Sequence, residues 1–169
     1  EGLESLPFER IRPHVSHGAL RLIRVGFGEP EPERFESLRG RYLDIYRQGL
    51  ADRTRLFDGF DAVLATLERS GIPWGVVTNK TSRYTLPLME ALGLAQRAAC
   101  IVSGDSSPRP KPAPDPLLLA STLAGADASR CLYVGDDLRD MQAARAAGMG
   151  AVAAAWGYLG DGLPLEKWG

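Results

Sequence analysis

After Phe57, short and nearly continuous apolar runs (74–77, 99–102, 131–134 and 151–155) alternate with amphipathic stretches of helical period (60–69, 84–92, 116–123 and 138–147). No other feature limits the fold as tightly. A strand buried on both faces reads as an unbroken apolar run, and such runs separated by helices describe a parallel sheet covered by helices. Gly71, Gly93, Gly125 and Gly148 each follow one of the amphipathic stretches within a few residues, where a left-handed helix cap is expected. The pattern predicts an α/β fold, a Rossmann-like, doubly wound parallel sheet. No fixed-period repeat interrupts it.

The preceding residues have a different texture. Over 16–27 and 32–50 apolar side chains recur at helical spacing (Leu20, Ile23, Phe27; Phe35, Leu38, Tyr42, Ile45, Tyr46) among Arg and Glu. The expected organisation is a helical part over 1–56 and an α/β part over 57–169. A chain of 169 residues suits one domain with a helical appendage better than two independent domains. With 44% hydrophobic residues and a net charge of -1, compositional disorder is excluded, and the basic excess of a nucleic-acid binder is absent. No window has the length and apolarity of a membrane span, and the first ten residues lack the basic-then-apolar order of a secretion signal, so a cytoplasmic protein without membrane or nucleic-acid partners is expected. Cys100 and Cys131 lie in apolar runs and read as buried thiols.

In open α/β sheets ligands bind beyond the carboxyl ends of the strands. The first run ends in Thr78-Asn79-Lys80, the second in Ser103-Gly104-Asp105, and the third in Gly135-Asp136-Asp137 with Asp140 one turn on. Asp136, Asp137 and Asp140 put three carboxylates within five residues, and such like charges ask for a compensating cation or hydrogen bonds. A hard divalent ion, magnesium (Mg2+) held by oxygen ligands, fits. Helix capping accounts equally well for Asp137 and Asp140, but not for Asp136. Lys111 sits where proline takes every second position from 108 to 116, a stiff segment that either holds the lysine in place or serves as a polyproline spacer. Asp115-Pro116 is expected to begin the following helix, with Asp115 as its cap. Thr78 and Asn79 offer a hydroxyl, an amide and backbone N–H groups to an anion, or ordinary turn chemistry. Ser16 and His17 open a helix and could face a substrate from above; His14 and His17 otherwise read as surface or helix-start residues. Trp156-Gly157-Tyr158 reads as a packed turn.

Taken in order, Val76-Val77-Thr78-Asn79, Lys111-Pro112-Ala113-Pro114-Asp115 and Val134-Gly135-Asp136-Asp137-Leu138-Arg139-Asp140 resemble the second, third and fourth motifs of the haloacid dehalogenase superfamily. The likeness covers nearly the whole chain, with the helical part resembling the family's cap. Its wording is nearest to phosphoglycolate phosphatases and N-acetylmuramic acid 6-phosphate phosphatases. The resemblance implies a phosphatase that hydrolyses a small phosphate monoester through an aspartyl phosphate. Thr78 and Lys111 would then be catalytic, Asn79, Ser16 and His17 would contact substrate, and Asp136, Asp140 and Asp137 would lie at the magnesium. A phosphosugar phosphatase, or a member that binds a phosphorylated ligand without turnover, are the alternatives.

The family's first motif is missing. No Asp-x-Asp-x-Thr occurs, and Asp58 and Asp61 are three apart at a helix start. The resemblance therefore implies that the chain begins inside the cap and ends before the last strand, with nucleophile and general acid/base outside it. It also implies that the strands ending at Val77 and Val134 lack the strand between them and leave backbone groups and apolar side chains open to water.

Overall fold

The computed structural model describes residues 2–159 and 162–168. The helical part comprises α1 (Phe8–Ile11), a 3-10 turn (Arg12–His17), α2 (Gly18–Phe27) and α3 (Pro32–Gln48). Ile23 of α2 and Leu38 of α3 are its buried contacts. The α/β part follows as α4 (Phe60–Arg69), β1 (Gly75–Val77), α5 (Ser82–Ala91), β2 (Cys100–Val102), α6 (Asp115–Leu123), β3 (Leu132–Gly135), α7 (Leu138–Ala146) and β4 (Gly150–Ala153). Each expected helix and strand is present, shifted by one or two residues at its ends. The expected left-handed caps are there too: Gly93 and Gly148 take φ of 68° and 73°, a conformation that side-chain-bearing residues rarely adopt.

All strand pairing is parallel, but the four strands do not form one continuous sheet. β1 pairs with β2, Val76 opposite Ile101, and β3 pairs with β4, Tyr133 opposite Ala151. Between β1 and β3 no strand lies among the described residues. The carbonyl of Val77 is satisfied there by side chains instead, accepting from the Tyr133 hydroxyl at 2.9 Å and from Lys111 Nζ at 3.1 Å. A buried backbone carbonyl needs a partner, and these two supply it.

Three apolar clusters hold the layers together. Leu64, Met89 and Leu94 cover one face of β1–β2; Cys100, Val102 and Ala120 fill the space under α6; Leu117, Ala143 and Ala144 join α6 and α7 to Tyr133 and Ala151. The small residues of α7 are what allow it to lie close on β3 and β4. Cys100 is buried as expected, whereas Cys131 is only half-buried; both thiols are free. The proline-rich segment is no extended spacer. It folds back in turns (Ser106 N–H to Ser103 O at 3.0 Å, Ala113 N–H to Pro110 O at 3.0 Å) and is braced by a two-bond Arg109–Asp115 pair at 3.0 and 2.9 Å. Asp115 is thus not the cap of α6; its carboxylate is spent on Arg109, and Pro114 stands at the cap position.

Candidate active site

The carboxyl ends of β1 and β3 bring Thr78, Lys111 and the acidic residues to one edge. Asn79 holds Lys111 by its main chain: the amide donates to Lys111 O at 2.9 Å and accepts from Lys111 N–H at 3.0 Å. That reciprocal pair fixes where the lysine side chain starts, and it uses both ends of the Asn79 amide. Asn79 therefore positions Lys111, where the sequence had suggested a substrate contact. The Lys111 ammonium, only 9% exposed, has three donors, and three acceptors surround it: Asp140 Oδ1 at 2.7 Å, the Tyr133 hydroxyl at 2.7 Å and Val77 O at 3.1 Å. The phenol of Tyr133 is pushed strongly upward, first by burial and then by the charges of Asp140 and Asp136, so it remains a neutral donor. Thr78 Oγ1 accepts from Lys80 N–H at 3.1 Å, which leaves its own proton to donate to an anionic oxygen.

The three aspartates have separate surroundings. Asp140 closes a capping box on α7, with Oδ2 accepting from Asp137 N–H at 3.2 Å while Oδ1 pairs with Lys111. Gly135 is required beside it, because any side chain there would strike the Asp140 carboxylate. Asp137 caps α7 through Arg139 N–H at 2.9 Å and holds the Arg139 guanidinium through two bonds, 2.8 Å to Oδ1 and 2.6 Å to Oδ2. Burial pushes its carboxyl up, but the hydrogen bonds and charge of Arg139, and the charge of His17, outweigh burial and hold it below the usual carboxylate range. Asp136 differs: Oδ2 accepts from Tyr158 N–H at 2.7 Å, and Oδ1 has no partner among the described residues.

These surroundings decide what a divalent ion could use. Both oxygens of Asp140 and Asp137 are already engaged, and among the described residues no three acidic, histidine or cysteine side chains converge on one point. Asp136 alone offers an unspent carboxylate oxygen at the strand edge. Magnesium commonly takes one or two protein carboxylates and completes its shell with water and phosphate oxygens, so the residues fit it through Asp136. They do not gather Asp137 and Asp140 as further ligands.

The turn over Arg12–His17 closes the edge from the helical side. Ser16 donates its hydroxyl to Tyr158 O at 3.0 Å and accepts through its carbonyl from Arg139 at 2.9 Å, while Arg12 donates to Gly157 O at 3.0 Å and lies 5.1 Å from the Tyr158 ring centroid. Ser16 thus ties the helical part to the acidic edge, with its hydroxyl already spent; His17 stays exposed near Asp137. Trp156-Gly157-Tyr158 is a turn with Gly157 packed so closely on Asp136 that no side chain fits, but Trp156 is 51% exposed and so not the packed residue expected. A cleft of about 320 Å³, lined by Phe57, Phe60, Val134, Asp136 and Trp156, opens beside it. A larger apolar groove of about 560 Å³ lies within the helical part, away from the carboxylates. Tyr133, Arg139 and Tyr158 were not singled out as site residues by sequence. Tyr133 is hidden in an apolar run, Tyr158 acts on Asp136 from 22 residues away, and Arg139 joins neighbouring Asp137 to distant Ser16.

Comparisons with known proteins identify the family and the fold. Residues 12–154 match the family described as haloacid dehalogenase-like hydrolase. The chain is 42% identical over 166 residues to a phosphoglycolate phosphatase of Xanthomonas campestris pv. campestris, covering 98% of this chain and 75% of the relative. It is 40% identical over 169 residues to an N-acetylmuramic acid 6-phosphate phosphatase of Pseudomonas aeruginosa, covering 99% and 75%. A crystal structure of a predicted phosphoglycolate phosphatase from Haemophilus somnus superimposes with a TM-score of 0.86 at 24% identity, covering 99% of this chain and 77% of that one, and supports the fold.

Proposed function

The chain belongs to the haloacid dehalogenase-like hydrolases, and on that premise we propose that it hydrolyses a small phosphate monoester of the phosphoglycolate type through an aspartyl phosphate, with magnesium. Residues 1–56 act as the cap and 57–169 as the core. The observation that carries this reading is the convergence of Thr78, Lys111 and Asp136 on one strand edge, each held there by partners unrelated to substrate.

In this mechanism a carboxylate oxygen attacks phosphorus while the ester P–O bond breaks. The departing alkoxide takes a proton from a general acid, and water then cleaves the acyl phosphate. We place the attacking aspartate on a strand between β1 and β3, which are not paired with each other among the described residues. Thr78 donates its free hydroxyl proton to the transferring oxygens. Lys111, buried and held by Asn79, sets its ammonium against the nucleophile and the phosphoryl group, and Asp140 fixes its direction. Asp136 would hold magnesium, which when bound would supply positive charge against the phosphoryl oxygens. Positioning and charge neutralisation are most of what phosphoryl transfer needs.

The intact protein is expected to release phosphate from p-nitrophenyl phosphate and 2-phosphoglycolate with magnesium, and to stop on chelation. Asp136→Asn should abolish this activity while barely moving the metal-free melting temperature. Full activity in Asp136→Asn overturns its assignment, and no turnover by the unmodified protein overturns the phosphatase reading. The near-equal similarity to the Pseudomonas aeruginosa enzyme supports a phosphosugar as second substrate class, to be tested in the same assay.

A further inference from the structure

The seam between α3 and the loop after β1 contains a cation that the chemistry above leaves unused. Lys80 stands two residues beyond Thr78, and its main chain is fixed on three sides. Its N–H donates to Thr78 Oγ1 at 3.1 Å, and its carbonyl accepts from Gly104 N–H at 2.8 Å and from the Thr85 hydroxyl at 3.0 Å. Asn79 O presses so closely on Gly104 that position 104 has no room for a side chain. The lysine side chain crosses to α3, where Nζ donates to the Tyr46 hydroxyl and lies 5.0 Å from the ring centroid.

Behind that contact stands an aromatic wall. Tyr84 meets Tyr46 edge-on at 5.7 Å, and Tyr42 stacks on Tyr46 at 6.3 Å. Tyr84 is 7% exposed, and its hydroxyl has no hydrogen-bond partner among the described residues. An ammonium has three donors, of which Tyr46 takes one. No carboxylate among the described residues lies within ion-pair distance of Lys80. A half-buried ammonium with no counter-ion has lost hydration without full compensation, and an arriving anion restores it through charge-assisted hydrogen bonds.

We propose that Lys80 and Tyr46 form a second anion subsite, which holds a carboxylate on the leaving group while the phosphoryl group lies at Thr78 and Lys111. The assignment rests on the phosphatase reading and narrows it to esters whose alcohol carries an acid. Phosphoglycolate, which one relative is named for, fits that chemistry, since glycolate is a carboxylic acid. Lys80 belongs to the core and Tyr46 to the helical part, so an acidic leaving group engages both parts at once. A neutral leaving group does not. Lys80 is on this account a specificity residue, separate from the groups at the reacting phosphorus.

The test compares 2-phosphoglycolate with 2-hydroxyethyl phosphate, which replaces the carboxylate by a neutral alcohol. The intact protein is expected to favour the acid by at least about 30-fold in kcat/KM, the worth of one well-placed charged hydrogen bond. Lys80→Met should cost roughly 100-fold on the acid, mostly in KM, and only a few-fold on the neutral ester, collapsing the ratio. Lys80→Arg should recover much of it. Should Lys80→Met fold poorly, Tyr46→Phe with the same two esters is expected to lower the ratio about tenfold. Equal efficiency on both esters, or equal losses in the variants, overturns the subsite and leaves the phosphatase reading standing. Release of phosphate from neither ester, nor from p-nitrophenyl phosphate, removes the phosphatase reading and the subsite with it.

Discussion

The β1–β2 pair and the β3–β4 pair carry opposite ends of one site, yet they are built differently. β1–β2 is covered on both faces, by Leu64, Met89 and Leu94 on one side and by Leu117 and Ala120 on the other, and Val102 is fully buried. β3–β4 is covered on one face only: Tyr133 and Ala151 meet α7, while Leu132, Val134 and Val152 are 64%, 44% and 38% exposed. The site residues are held in two ways that cut across this difference, since Tyr133 of β3 and Asp140 of α7 help to hold Lys111. Lys111 is fixed from inside the core, through Asn79, Tyr133 and Asp140. Asp136 and Asp137 are fixed from outside, through Tyr158, Arg139 and the Arg12–His17 turn. One end of the site is a rigid frame, and the other follows the position of the helical part.

The largest test of that contrast is Lys111→Met. Turnover should fall by orders of magnitude, and the structure adds a cost that motif reasoning had not foreseen. The substitution leaves Asp140 as a buried carboxylate without its cation, which typically costs about 3–5 kcal/mol. Lys111→Met with Asp140→Asn should regain most of the stability and none of the activity, as read by denaturant melts beside phosphate release. If the single variant is as stable as the parent, the inner frame is less rigid than the bond geometry implies.

Asn79→Ala comes next. It removes no charge, but it frees both backbone groups of Lys111, so a loss of about 1–3 kcal/mol and a fall mainly in kcat are expected. An increase in KM alone would return Asn79 to substrate contact. Much of this end of the site was legible in the sequence, because strand ends, proline spacing and motif order are local signals. What Asn79 does was not legible, since a partner 32 residues away decides it. The same holds for Asp115, a good cap by composition that Arg109 draws elsewhere. The Asp137 cap is a local contact and was legible, but the pairing of Asp140 with Lys111 and the unspent oxygen of Asp136 depended on contacts across the fold.

On the outer side, Asp137→Asn should be milder, because asparagine still caps a helix. Its signature is pH dependence. The Asp137 carboxyl sits below its ordinary range in the folded chain, so its stabilisation is present above that range and disappears as pH falls through the folded value. The stability gap between parent and Asp137→Asn should therefore be widest near neutrality and close on the acid side, in urea melts at stepped pH. A gap that stays constant would mean that the cap alone matters and the Arg139 pair contributes nothing.

The smallest effect is expected at Leu132, and it bears most directly on the contrast between the two strand pairs. Val102→Ala removes methyl groups from a side chain with no exposure and should cost about 2 kcal/mol. Leu132 starts β3 opposite Gly150, its side chain lying over that glycine and largely in water. Threonine introduces the β-branched shape that strands favour and replaces exposed apolar surface with a hydroxyl. Leu132→Thr should stay within about 0.5 kcal/mol of the parent, as surface changes usually do. It should also reduce concentration-dependent association, since exposed apolar strand faces are sticky. Equilibrium unfolding and sedimentation velocity read the two quantities separately. A loss at Leu132 as large as that at Val102 would mean that the open face of β3–β4 is covered in solution, and the two halves of the site would then be equally framed.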